Sequence, residues 1–148
     1  MEFSRLLPPI EKEYAGPKAP FYFLVLIAAA STARSMIHIL ASDGGANSIA
    51  GLAVDGAGGA NLVAMFAQWG ASQLILAALQ WIVILRYRFL TPLMLAVVVL
   101  EQLLRMGAGA IKPLEVTAAP PGAIGSQLLL PLAVIALAWS LQPARKVR

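Results

Sequence analysis

The chain has 148 residues, 59% of them hydrophobic and 12% charged, with a net charge of +4 and no cysteine. Soluble domains carry about 25% charged residues; half that share, at a mean hydropathy of +0.78, is too little to wrap an apolar core and sets the expectation of an integral membrane protein. The missing cysteine rules out disulfides, thiolate nucleophiles and cysteine-ligated metal or iron–sulfur sites.

Residues 1–19 contain Glu2, Glu11 and Glu13 and several prolines, with no apolar core before Pro20. That is not a signal-peptide pattern, so the first apolar segment is expected to be retained as a helix. A bilayer's hydrocarbon layer takes about 20 apolar residues in a helix, and residues 20–40 supply them. The loop over 41–61 is rich in glycine and alanine, and its Ser48–Val54 stretch is apolar enough to lie at the interface or dip into it. A second apolar segment covers 62–85. Only Arg86, Tyr87 and Arg88 separate it from a third over 89–110, which predicts a tight antiparallel hairpin. The next loop holds the helix breakers Pro113, Pro120, Pro121 and Gly122. A fourth, shorter segment covers 124–141 and contains Pro131.

No segment alternates with period two, as barrel strands would. Continuous apolar runs satisfy their backbone internally as helices. The fold class predicted is an all-α integral membrane protein, a four-transmembrane-helix antiparallel bundle over 20–141. A cytoplasmic segment (1–19) precedes it and a basic cytoplasmic tail (142–148) follows. Four spans would place Arg5, Lys12, Lys18, Arg86, Arg88, Arg145, Lys146 and Arg148 on one side and Lys112 alone on the other. Lys and Arg are enriched in cytoplasmic loops, so both termini are expected in the cytoplasm of a bacterial inner membrane. The same bias explains the basic tail as an orientation signal and lipid contact; no nucleic-acid partner is expected.

Polar residues inside the segments are the candidates for function, because ionisable groups in a membrane are costly and turn inward to pair. Arg34 and His38 stand four apart on the first segment, and Glu101 and Arg105 four apart on the third, each pair on one helix face. On the second, Asn61, Gln68 and Ser72 share a face, with Gln73 and Gln80 on another stripe. All but that second stripe fall toward the outer leaflet, so a buried cluster of Arg34, His38, Asn61, Gln68, Ser72, Glu101 and Arg105 is predicted. In it Glu101 bridges Arg34 and Arg105, and the Gln68 amide fills in. Phe66 and Trp69 could form an apolar wall beside it for a lipid, quinone or pigment. Tyr22, Trp81, Tyr87 and Trp139 suit an aromatic belt.

The cluster has two readings: a closed structural network, or the floor of a pocket for an anionic or amphipathic ligand. A lone histidine cannot build a multi-histidine metal site. Asp43 and Asp55 lack calcium-loop spacing and read as turn residues. The serines have no base partner, so serine catalysis is unsupported. The leading function on sequence is a non-catalytic accessory or scaffold subunit, docking to other membrane subunits or to itself. A binding or transport protein for a lipid-like or anionic molecule comes second. An enzyme using Glu101 and His38 in acid–base chemistry comes last. No cofactor is indicated beyond a bound lipid or other apolar ligand.

Overall fold

A computed structural model describes residues 7, 9–10, 13–114 and 121–143. Arg5, Lys12, Pro120 and the basic tail from Ala144 lie outside them, so part of the charge asymmetry has no structural counterpart here. The described residues form four α-helices: α1 (Lys18–Leu40), α2 (Gly59–Leu85), α3 (Thr91–Ile111) and α4 (Pro121–Ser140). A 3-10 turn, Arg88–Leu90, leads into α3.

The local chemistry sets the ends. Pro17 precedes α1, and Gly58, at φ +94°, precedes α2 in a left-handed conformation that glycine adopts without strain. Pro92 falls in the first turn of α3, where its missing N–H costs nothing. The α3 helix therefore begins at Thr91 rather than 89, with Thr91 Oγ1 donating to the Arg88 carbonyl at 2.6 Å. Pro131 is accommodated inside α4. Taken with the 3-10 turn, α3 joins α1 and α2 as helices long and apolar enough to cross a membrane; the apolar stretch of α4, Ile124–Ser140, is shorter.

The helices pack as a bundle whose polarity is inverted. Large apolar side chains point outward, Leu26 at 68% exposure and Leu85 at 73%. Ser35, His38, Gln80, Thr91, Gln102, Ser126 and Ser140 are buried. A soluble protein would arrange these the other way. Contacts are densest between α1 and α2 and between α3 and α4.

Two ends of the bundle differ. At the turn end, where Arg88 stacks 5.1 Å over the Phe21 ring, the interior is apolar. Leu24, Ala28, Val83, Ile84, Met94, Leu95, Val98, Ala133 and Ala136 form its core. Toward the other end, beside the 41–58 loop, the interior becomes polar. There α1 and α2 meet closely at Gly70, where an added Cβ would lie 2.6 Å from His38 Cβ and 3.1 Å from the Ser35 carbonyl oxygen. Trp81 Nε1 also donates to Thr32 Oγ1 at 3.0 Å, tying α2 to α1. This indole is therefore engaged between helices rather than free for an aromatic belt. The helices α2 and α3, although joined by the shortest connection, touch little along their length. The tight hairpin read from the sequence opens into a groove.

The loop after α1 folds into successive turns organised by Asp43. Its carboxylate accepts from the backbone N–H groups of Ser48 (2.6 Å), Gly45 (2.9 Å) and Asn47 (3.2 Å). Those bonds, the one from Ser48 foremost, hold its pKa at about 2, below the ordinary 3.8. Asp55 is exposed. Among the described residues no group of three or more His, Asp or Glu is placed to hold a metal ion.

Candidate functional site: a polar cavity in the loop-end half

The polar half is built by side chains from all four helices around a cavity of about 170 Å³. Arg34 and Ser31 reach it from α1, Gln73 and Gln80 from α2, Glu101, Gln102 and Arg105 from α3, and Ser126 from α4.

Glu101 is its hub. One carboxylate oxygen, Oε1, accepts from Gln73 Nε2 at 3.1 Å and from Arg105 Nη2; the other accepts from Gln102 Nε2. The Arg105 bond closes an i,i+4 ion pair within α3. With Arg105 and two glutamine amides upon it, the carboxylate is fully engaged.

Arg34 is not part of that ion pair. Its Nε donates to His38 Nε2 at 3.3 Å, and its guanidinium stacks over Trp69, 4.5 Å from the ring centroid. Arg105 stacks on the same indole at 5.0 Å. Trp69 thus receives two cations, an arrangement the aromatic quadrupole favours. His38 Nδ1 lies 2.7 Å from the Gly44 carbonyl oxygen. A carbonyl can only accept, so Nδ1 carries the proton and Nε2 is free to accept from Arg34. The chain Arg34–His38–Gly44 anchors the loop to α1. Gly44 and Gly45 turn the chain at positive φ (+59° and +74°), which glycine adopts without strain; both are buried, and an added Cβ on Gly45 would sit 3.3 Å from His38 Nδ1.

The site therefore differs from the predicted cluster. Arg34, His38, Trp69, Glu101 and Arg105 come together, but Glu101 does not bridge the two arginines. Among the described residues, no carboxylate lies within ion-pair distance of Arg34. Phe66 packs its ring on His38 and Trp69, at 5.5 and 5.9 Å, and does not line the cavity. Asn61, Gln68 and Ser72 lie on an exposed face of α2. Among the described residues the Gln68 amide joins no network, and Ser72 Oγ donates to the Gln68 backbone carbonyl at 3.2 Å.

The stripe that enters the cavity is the other one, Gln73 and Gln80, together with Gln102, which sequence reasoning passed over. Gly70 decides this. It turns Gly70, Ala77, Gln80 and Ile84, all buried, toward the bundle. Asn61, Gln68 and Ser72 are then left about 140° round the helix, at about 100° per residue. Small residues at this spacing (Gly70, Ala77) were the available signal.

Two features mark the cavity as unfinished. Gln80 is only 2% exposed, yet its Oε1 has no hydrogen-bond partner among the described residues. Arg105 Nε is buried and likewise unpartnered among them. An unmade bond of this kind costs about 1–3 kcal/mol. With two arginines and one glutamate, the lining carries a net positive charge.

The cavity also has a side opening. A groove of about 470 Å³ runs between α2 and α3, lined by Trp69, Ser72, Gln73, Leu76, Glu101, Arg105 and Ala108. Gln73, Leu76, Glu101 and Arg105 line both spaces.

The fold and site together define the chain as a small all-helical bundle, apolar outside and polar within, with three helices able to span a membrane. Compared with protein-family models, curated proteins and solved structures, it matches none.

Proposed function

We propose that this is an integral membrane protein whose loop-end half binds the oxoanion of an amphipathic molecule. The observation that carries this reading is Arg34: a guanidinium lining a cavity, with no carboxylate within ion-pair distance among the described residues. Isolated charges at membrane depth are expensive, and a planar guanidinium is suited to a phosphate or carboxylate. Among the described residues Lys18, Arg86 and Arg88 gather at the turn end and Lys112 alone caps the other, which favours a cytoplasmic turn end and a cavity in the outer half. With α4 as a fourth, shorter crossing, both termini fall on the cytoplasmic side. An accessory role in a larger assembly, first on sequence, rests on short loops and on small-residue faces for docking; Gly70, in the small-residue stretch of α2, is taken up within the chain against His38 and Ser35 of α1.

The test is a titration of sn-glycerol 3-phosphate into the protein in a neutral detergent, followed by thermal unfolding. The ligand is expected to raise the unfolding midpoint, and Arg34→Gln to weaken its binding about tenfold, the worth of one charge-assisted hydrogen bond. Equal binding by wild type and Arg34→Gln, or none by either, rejects the reading.

A further inference from the structure

We infer that the ligand is an anionic phospholipid taken laterally from the bilayer, its phosphate at Arg34 and Arg105 and an acyl chain in the α2/α3 groove. This rests on the oxoanion reading above and adds the ligand's class and its route.

The first argument is continuity. The cavity and the groove share Gln73, Leu76, Glu101 and Arg105, so a molecule in the groove abuts the charged end of the cavity without crossing a wall. The groove opens on the side of the bundle, between two helices that are each able to span a membrane. Its mouth therefore faces lipid rather than water.

The second argument is solvation. The Arg105 and Glu101 side chains retain 20% and 25% exposure at that seam. Arg105 stands six residues before Ile111, which puts it about 9 Å below the end of α3 at about 1.5 Å per residue. Hydrocarbon cannot hydrogen-bond to these groups, and leaving them bare to acyl chains costs several kcal/mol. A phosphate drawn down into the seam can accept from the free Arg34 donors and from Arg105, while its chain covers Trp69, Leu76 and Ala108. The net positive lining selects a lipid with net negative charge over a zwitterionic one.

The third argument is Gln80 Oε1, a buried acceptor lining the same cavity with no donor among the described residues. A closed structural network would have no reason to leave a buried acceptor beside empty space. A phosphate oxygen cannot donate to it, but a glycerol headgroup hydroxyl, or water carried in with the headgroup, can.

The experiment uses the full chain in phosphatidylcholine nanodiscs containing a minor fraction of phosphatidylglycerol. The protein is transferred to neutral detergent, and retained lipids are identified by mass spectrometry. Wild type is expected to retain phosphatidylglycerol in several-fold excess over its share of the disc. Ala108→Phe fills the groove from α3, one turn from Arg105, and leaves every charged side chain in place. It is expected to lose that enrichment while still binding glycerol 3-phosphate. Ser72→Phe, from the opposite wall, provides the same test should the first variant fold poorly. Glycerol 3-phosphate binding with no phosphatidylglycerol enrichment, or enrichment untouched by both groove variants, overturns lateral lipid capture and leaves the oxoanion site standing. Failure of both ligands to bind removes the site itself.

Discussion

The turn-end and loop-end halves of this bundle are made from the same four helices and obey different rules. In the turn-end half Leu24, Ala28, Leu95 and Ala133 are wholly buried, and the buried hydroxyls there, Thr91 and Ser140, each donate to a backbone carbonyl of their own chain turn. Such packing in lipid gains little from the hydrophobic effect and rests on close fit. In the loop-end half the interior holds two arginines, a glutamate, Gln73 and Gln102 around space that protein does not fill, and the cavity runs down toward the turn end as far as Gln80. One half closes on itself. The other is held together by Glu101, yet leaves Arg34 and Gln80 without full partners. A bundle that needed only to fold would have no use for that second arrangement, and this contrast is what favours a ligand site over a structural network.

Four substitutions test the contrast, from the largest effect down. Gly70→Val should be most damaging, because its side chain would collide with His38 and the Ser35 carbonyl where α1 and α2 cross. Overpacking of this kind costs about 3 kcal/mol. An unfolding midpoint unchanged in detergent would show that the helices do not meet there. Leu95→Ala, in the apolar half, removes a fully buried side chain. It should cost about 2 kcal/mol, the low end for such truncations, since lipid is no worse a solvent for leucine than the core. Its effect on glycerol 3-phosphate binding should be nil, and a change there would mean that the halves are coupled.

Glu101→Gln should separate stability from binding. Removing the carboxylate strands Arg105, at a cost of about 1 kcal/mol, reduced from that of a fully buried pair by the partial exposure. The same change frees a second guanidinium and should tighten glycerol 3-phosphate binding. Weaker binding in this variant would argue that Glu101 contacts the ligand favourably, against the charge logic.

The smallest effect is expected at Asp43→Asn. The carboxylate's pKa is held at about 2 in the folded protein against an ordinary 3.8. A depressed carboxylate stabilises the fold fully above its unfolded value and loses that contribution as pH falls through the folded one. The gap in thermal midpoint between wild type and Asp43→Asn should therefore be constant above about pH 4 and shrink toward pH 2. A gap that stays constant down to pH 2 would show that the loop does not depend on this charge.

Much of the architecture was legible in the residues. The expected segments 20–40, 62–85, 89–110 and 124–141 lie within two or three residues of α1, α2, α3 and α4. Apolar run length and the Pro and Gly breaks report directly on helices. The charged pairs Arg34/His38 and Glu101/Arg105 could also be placed, because i,i+4 spacing fixes a shared face whatever the helix packs against. The pattern was least informative at α2, where Asn61 and Gln68 lie exposed, Ser72 lines only the α2/α3 groove, and Gln73 and Gln80 enter the cavity. In a soluble helix the apolar stripe names the inner face. In a membrane helix both faces are apolar, so that contrast vanishes and a polar stripe alone does not show which way it points.

Composition and local pattern, then, determined that the chain is helical, where its helices lie and which charges sit deep within them, since these depend only on run length and spacing. Tertiary structure decided the rest. The crossing at Gly70 rotated α2, Glu101 took Arg105 and two glutamines as partners and left Arg34 to Trp69 and His38, and α2 parted from α3 to open a groove. Those outcomes depend on which surfaces fit together in three dimensions, and no spacing along one helix encodes the shape of its neighbour.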